Sequence, residues 1–193
     1  MVENGGTFKI NNGVTITGNS GRGVSNSGTF EMTGGTISGN RGGGVYNYGI
    51  FTMSGGTISG NSANQGGGVY NSRSFTMTGG TISDNSARSG GGVYNRNGSF
   101  TMRGGIITRN SASENGGGVF FYHGGFTKTG GTITGFNSDS SNGNVVKDHD
   151  GTISRRGHAV WGGTMVMGTG RRKETTAGPG VNLSSGTVDN WDQ

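Results

Sequence analysis

Residues 55–61 read GGTISGN, and close variants of that phrase stand at 34–40 (GGTISGN), 79–85 (GGTISDN), 104–110 (GGIITRN) and 130–136 (GGTITGF). Each copy centres on an isoleucine set among small and polar residues. Aligned on that residue, the chain gives Ile16, Ile37, Ile58, Ile82, Ile107, Ile133 and Ile153, at intervals of 21, 21, 24, 25, 26 and 20. A recurring period of about 20–30 residues is the signature of a solenoid.

Two further columns run beside the first. Val24, Val45, Val69, Val93 and Val119 form one, and the pairs Phe30/Met32, Phe51/Met53, Phe75/Met77, Phe100/Met102 and Phe126/Lys128 form the other. Apolar and polar letters alternate within each phrase, as in F-T-M and T-I-S, which is the period of a strand. The expected fold is all-β: one parallel solenoid of about seven coils, each of 20–26 residues with three short strands. Phe to Ile is seven residues in the five central repeats and eight from Phe8 to Ile16, whereas Ile to Val grows from eight to eleven and twelve. The added residues, SANQ after Asn61 and SARS after Asn85, read as one expandable corner loop. Glycine pairs before Ile and triplets before Val allow positive φ at bends and close approach of coils. Asn61 is expected to stack between Asn40 and Asn85, and a second series, Asn26, Asn47, Asn71 and Asn95, follows the Val column. Stacked amides pass hydrogen bonds between coils. One Ile per coil suffices because each coil borrows the core of its neighbours.

Composition sets the outer bounds. Of 193 residues, 46 are Gly and only 27% are apolar, which excludes a conventional globular core, while regular apolar placement argues against disorder. Cysteine is absent, so disulfides, thiolate metal sites and a Cys nucleophile are excluded. No apolar run is long enough to span a membrane, and MVENGGTFKI lacks the charged and apolar regions of a signal peptide. Any signal and anchor regions are therefore expected outside this segment. The net charge is +5, but most arginines are scattered singly and only Arg155, Arg156, Arg171, Arg172 and Lys173 cluster. Nucleic-acid affinity requires a concentrated basic stripe, so no nucleic-acid partner is expected.

The GGTI phrase at 34–37, 55–58, 79–82 and 130–133, set in Gly- and Asn-rich coils, resembles the right-handed parallel β-helix of the pectate-lyase-like superfamily. In particular it is similar to the GGAI-type repeats of bacterial surface proteins of the polymorphic outer-membrane and adhesin-passenger type. The likeness covers roughly residues 5–165. It implies an extracellular or cell-surface location and a non-catalytic role in adhesion or glycan contact, or as a stalk, with polysaccharide or host-surface glycan as partner and no cofactor. Residues 1–140 read as regular coils, at whose end Phe136 replaces the ladder Asn, 141–168 as irregular closing coils, and 169–193 as a polar covering segment. No helix precedes the first coil, so its open edge invites end-to-end self-association.

Three features are candidates for function. Tyr46, Tyr70, Tyr94 and Phe120 each follow an inward Val and so point outward, with Tyr48, Phe121 and Tyr122 close by. Such a column offers rings to sugars, and Arg73 and Arg96 suit acidic ones. Thr15/Thr17, Thr36/Ser38, Thr57/Ser59, Thr81/Ser83 and Thr132/Thr134 flank the Ile column outward, an array that resembles the ice-binding faces of β-solenoid antifreeze proteins. Finally, Asp148, His149 and Asp150, with His158 nearby, are the sole acid/base cluster and the sole weak candidates for metal ligation. From 32 to 138 the acids are Asp84 and Glu114 alone, on different coils, so the paired carboxylates of glycoside hydrolysis are not expected on the regular stack. The chain is thus read as a non-enzyme, with polysaccharide-lyase or hydrolase chemistry at 148–158 as one alternative and ice binding as the other.

Overall fold

The computed structural model describes residues 5–135, 141–147, 150–153, 159–162 and 181–183. Its strands stack in columns, each holding the same phrase from successive coils. The Phe column contains β1 (Thr7–Ile10), β4 (Thr29–Met32), β7 (Ile50–Met53) and β11 (Ser74–Met77). The Ile column contains β2 (Thr15–Thr17), β5 (Thr36–Ser38), β8 (Thr57–Ser59) and β12 (Thr81–Ser83). β15 (Ser99–Thr108) and β18 (Gly125–Ile133) each run through both columns and join them into one sheet, to which β21 (Val181–Leu183) adds beside β18. The Val sheet is β3 (Val24–Asn26), β6 (Val45–Asn47), β10 (Val69–Asn71), β14 (Val93–Arg96), β17 (Val119–Tyr122) and β20 (Val160–Gly162). Every strand-to-strand ladder among the described residues is parallel, and the stack makes about five full turns.

Register follows the alignment of the sequence. Ile37 lies opposite Ile58, Phe51 opposite Phe75 and Val69 opposite Val93. These residues, with the methionines, fill one continuous core running the length of the coil. The Phe rings stack face to face within it, with centroids 4.7, 4.6 and 4.6 Å apart from Phe30 through Phe51 and Phe75 to Phe100. Close approach at the corners demands glycine: a Cβ on Gly68 would lie 2.6 Å from the Gly92 carbonyl oxygen in the next coil.

Both amide ladders form. In the first, Nδ2 of Asn19 donates to Oδ1 of Asn40 at 2.7 Å, and the chain of donation continues through Asn61, Asn85 and Asn110 to Asn144. In the second, Asn26, Asn47 and Asn71 donate in turn to Asn95 at 2.6–2.7 Å. Phe121 sits opposite Asn95 and ends that ladder inside the core.

Several expectations need correction. The stretch after the ladder Asn is a strand rather than a loop: β9 (Ser62–Gln65), β13 (Ser86–Ser89), β16 (Ser111–Asn115) and β19 (Val145–Val146) build a fourth parallel sheet. Its first three strands carry no large apolar side chain, which hid the sheet in the sequence. The sixth rung of the first ladder is Asn144, which follows an insertion after Gly135; Phe136 lies outside the described residues. Ile153 is not a seventh Ile rung but is 39% exposed and makes an antiparallel bridge to Lys147. The stack is correspondingly shorter than seven coils. Of the covering segment 169–193, only β21 is described, so most of it lies outside the described residues.

Lys128 keeps its place in the Met column, opposite Met102, and is buried. Its stem fills the space a Met would fill, and its ammonium donates to the Gly131 carbonyl oxygen at 2.8 Å.

Candidate functional site

Strand alternation sends Val69 into the core and the next residue, Tyr70, out of it. Repeated along the Val sheet, this places Tyr46, Tyr70, Tyr94 and Phe120 in one outward column, and register adds Trp161 opposite Phe120. Ring centroids are 4.9, 5.6, 5.2 and 5.7 Å apart along this series.

The column is outward but not bare. Tyr70, Tyr94 and Phe120 are only 7%, 5% and 5% exposed and form a second apolar cluster. The fourth sheet covers its flank. Gly66 turns β9 back toward the Val sheet at φ 65°, a conformation that Gly90 and Gly116 repeat. Gln65, Ser89 and Asn115 thereby stack in register beside the rings. The Tyr46 hydroxyl donates to the Gln65 carbonyl oxygen at 3.2 Å, and Gln65 Nε2 donates to the Tyr94 hydroxyl at 3.4 Å.

Stacking decides which ring surfaces a ligand can reach. Tyr46 on Tyr70 and Tyr70 on Tyr94 are nearly parallel, at 10° and 4°, so these rings spend their faces on each other. The outer face of Tyr46 is taken by Arg22, whose guanidinium lies 3.9 Å from the ring centroid. Only between Tyr94 and Phe120 does the stack break, with a tilt of 48°. There a cleft of about 470 Å³ opens, with Tyr94, Phe120, Tyr122 and Trp161 as its rings. Gln65, Arg96 and Asn115 supply its polar lining. Arg96 and Tyr122 lie opposite each other on neighbouring strands, on the same outer side as Tyr94 and Phe120.

Electrostatics around the column follow from burial. Burial pushes the Tyr46 phenol above its ordinary range, and Arg22 pulls in the opposite direction with less weight. Tyr94 is raised for the same leading reason. Arg96 is raised, chiefly by interaction with the Tyr70 phenol.

Of the expected sugar-contact residues, Tyr94, Phe120, Tyr122 and Arg96 meet in the cleft. Tyr46 and Tyr70 belong to its supporting stack, and Arg73 is not among the lining residues. Gln65, Asn115 and Trp161 were not foreseen. Register could have supplied the first two once the fourth strand was recognised, but Trp161 is separated from Phe120 by an irregular stretch that breaks the period.

The Thr/Ser face also forms in register, from Thr15 opposite Thr36 through Thr57 and Thr81 to Ile106 opposite Thr132. It is uneven: Ile106 interrupts one column, while Ser83 and Thr108 in the other are buried. Thr108 donates to the Asn142 carbonyl oxygen, so residues beside the insertion cover that end of the face. Thr134 stands at the end of the second column. Pairing between β15 and β18 ends with Ile107 opposite Ile133, so Thr134 lies just past the strand and is half-buried. The insertion after Gly135 brings Asn144 back against it: the Thr134 carbonyl oxygen accepts from the Asn144 backbone amide at 2.8 Å and from its Nδ2 at 2.7 Å. The Thr134 carbonyl thus receives the last amide of the described ladder.

In the acid/base cluster only Asp150 is described; its carboxylate accepts from the Thr152 amide at 2.9 Å, which lowers its pKa. Asp148, His149 and His158 lie outside the described residues. Among the described residues, no three His, Cys, Asp or Glu side chains converge to hold a metal ion, and no helix is long and apolar enough to cross a membrane.

Neither a family model, a curated protein nor a solved structure matches the chain.

Proposed function

We propose that the chain is a non-catalytic repeat module of an extracellular or bacterial surface protein, and that it contacts glycan in the cleft lined by Tyr94, Phe120, Tyr122 and Trp161. One observation carries this reading: the aromatic stack breaks at one place, and there rings, two amides and a guanidinium line the same opening. Saccharides pair apolar C–H faces with dense hydroxyl groups. A site for them therefore combines aromatic surface with a few fixed polar groups. The rest of the coil serves as a rigid spacer that presents the cleft. The GGTI phrases and the all-parallel ladders support a right-handed β-helix of the pectate-lyase-like class with adhesin-type use.

The test is a broad glycan array probed with the full chain and with a Tyr122→Ala/Trp161→Ala double variant, with circular dichroism confirming that both are folded. Selective binding lost in the variant supports the reading. A folded wild-type chain that binds no glycan at any concentration tried would leave the coil as a stalk.

A further inference from the structure

The charge of the cleft narrows the class of sugar. Arg96 is the one charged residue lining it. The described carboxylates are committed elsewhere: Glu31 to Lys9 at 2.8 Å, Asp84 to Arg109 at 2.8 Å, Glu114 to Arg88 at 2.7 Å, and Asp150 to the Thr152 amide. Glu114 is the instructive case. It adjoins Asn115 on the cleft wall, yet it pairs with Arg88, and so leaves Arg96 without a neutralising neighbour there among the described residues.

Arg96 is exposed at the end of β14, on the cleft wall. A guanidinium carries five N–H donors in a planar fork, which suits a planar or tetrahedral oxyanion. An exposed guanidinium on the cleft wall, with no described carboxylate paired to it, favours a negatively charged ligand.

We infer that the cleft takes an anionic saccharide unit, a uronic-acid carboxylate or a sulfate ester, with the negative group on Arg96 and sugar hydroxyls on Gln65 and Asn115. This rests on the glycan reading above.

The experiment is calorimetric titration of the full chain with three oligosaccharides: an oligogalacturonate, its fully methyl-esterified counterpart, and a sulfated oligosaccharide. The inference expects the acid or the sulfated sugar to bind about tenfold or more tighter than the neutral ester, the weight of charge-assisted hydrogen bonding. Arg96→Gln should reduce that affinity to the level of the ester, while Arg96→Lys, which keeps charge but loses the fork, should fall between. Preference for carboxylate or for sulfate identifies the source of the anion. If the ester binds as tightly as the charged sugars and Arg96→Gln changes nothing, the inference falls and the glycan reading stands. If none of the three binds, and the array is also blank, both fall together. Arg96 is exposed, so its variants are expected to fold, and near-ultraviolet circular dichroism of the tyrosine column verifies it.

Discussion

Asn61 donates both its backbone N–H and its side-chain Nδ2 to a single oxygen, Oδ1 of Asn85, at 3.0 Å each. Asn85 in turn donates Nδ2 to the Ile58 carbonyl oxygen at 2.9 Å and to Oδ1 of Asn110 at 3.0 Å. Both residues are wholly buried. Each rung therefore joins three coils and satisfies backbone groups that water cannot reach.

Asn85→Ala should accordingly destabilise the chain by about 3 kcal/mol, because buried donors on Asn61 and a buried acceptor on Ile58 lose their partner together. Urea unfolding checks this. A loss below about 0.5 kcal/mol, less than one ordinary hydrogen bond, would mean that water replaces the rung.

Two glycines should respond in opposite ways to a methyl group. On Gly68 a Cβ would lie 2.6 Å from the Gly92 carbonyl oxygen and 2.9 Å from Ile82 Cγ2, so Gly68→Ala should cost about 1–3 kcal/mol as the coils are forced apart. On Gly21 a Cβ meets nothing within 4 Å and the backbone does not have positive φ, so Gly21→Ala should be neutral or stabilising by up to about 1 kcal/mol. Denaturation midpoints of the two variants, measured side by side, distinguish coil contact from chain entropy.

Asp84 and Arg109 occupy positions that are glycines in earlier coils, and both keep left-handed φ, at 58° and 52°. Their ion pair holds the Asp84 carboxyl below its usual range, chiefly through the hydrogen bond from Arg109. A depressed folded pKa gives stability that is present above the unfolded value and is lost as pH falls through the folded one. With the Asp84 side chain 46% exposed, the contribution is small, about 0.2–1 kcal/mol. Asp84→Asn tolerates the same backbone and should remove that part of the acid sensitivity. Stability curves of the two proteins should converge below the normal Asp range; if they run parallel at all pH values, the pair contributes nothing.

The cation over Tyr46 gives a second titration test. Burial raises its phenol and Arg22 opposes the rise, so Arg22→Ala should move Tyr46 ionisation to still higher pH. The sign is that of an acid favoured in its neutral form: the contribution is present below the usual tyrosine range and fades as pH rises through the raised value. Phenolic titration by NMR reads it directly. A downward movement in the variant would show that Arg22 acts on Tyr46 mainly by excluding water.

The regular coils were legible because Val45, Phe51 and Ile58 recur with their neighbours at conserved spacing, and each must face the same core. Ala63, Ala87 and Ala112 carried no such signal. Their strands have no large apolar residue, and the run SANQGGG looks like a loop until parallel partners are placed beside it. The aromatic column was foreseen in position but not in exposure: nothing in Val-Tyr-Asn reveals that neighbouring rings consume each other's faces. Trp161 completes the cleft from beyond the break in period, where spacing ceases to report register.

The directionality of the amide ladder bears on how such a chain changes over generations. Asn40 gives to Asn61 what Asn61 gives to Asn85, and the receiving oxygen is equivalent at each step. A tandem duplication of the stretch from Asn40 to Asn61 would present the same donors below and the same acceptor above. Its Phe, Ile and Val would meet identical neighbours. Copy number can therefore drift without redesign of either flanking coil, and the molecule's reach can be adjusted by unequal recombination while the cleft stays intact.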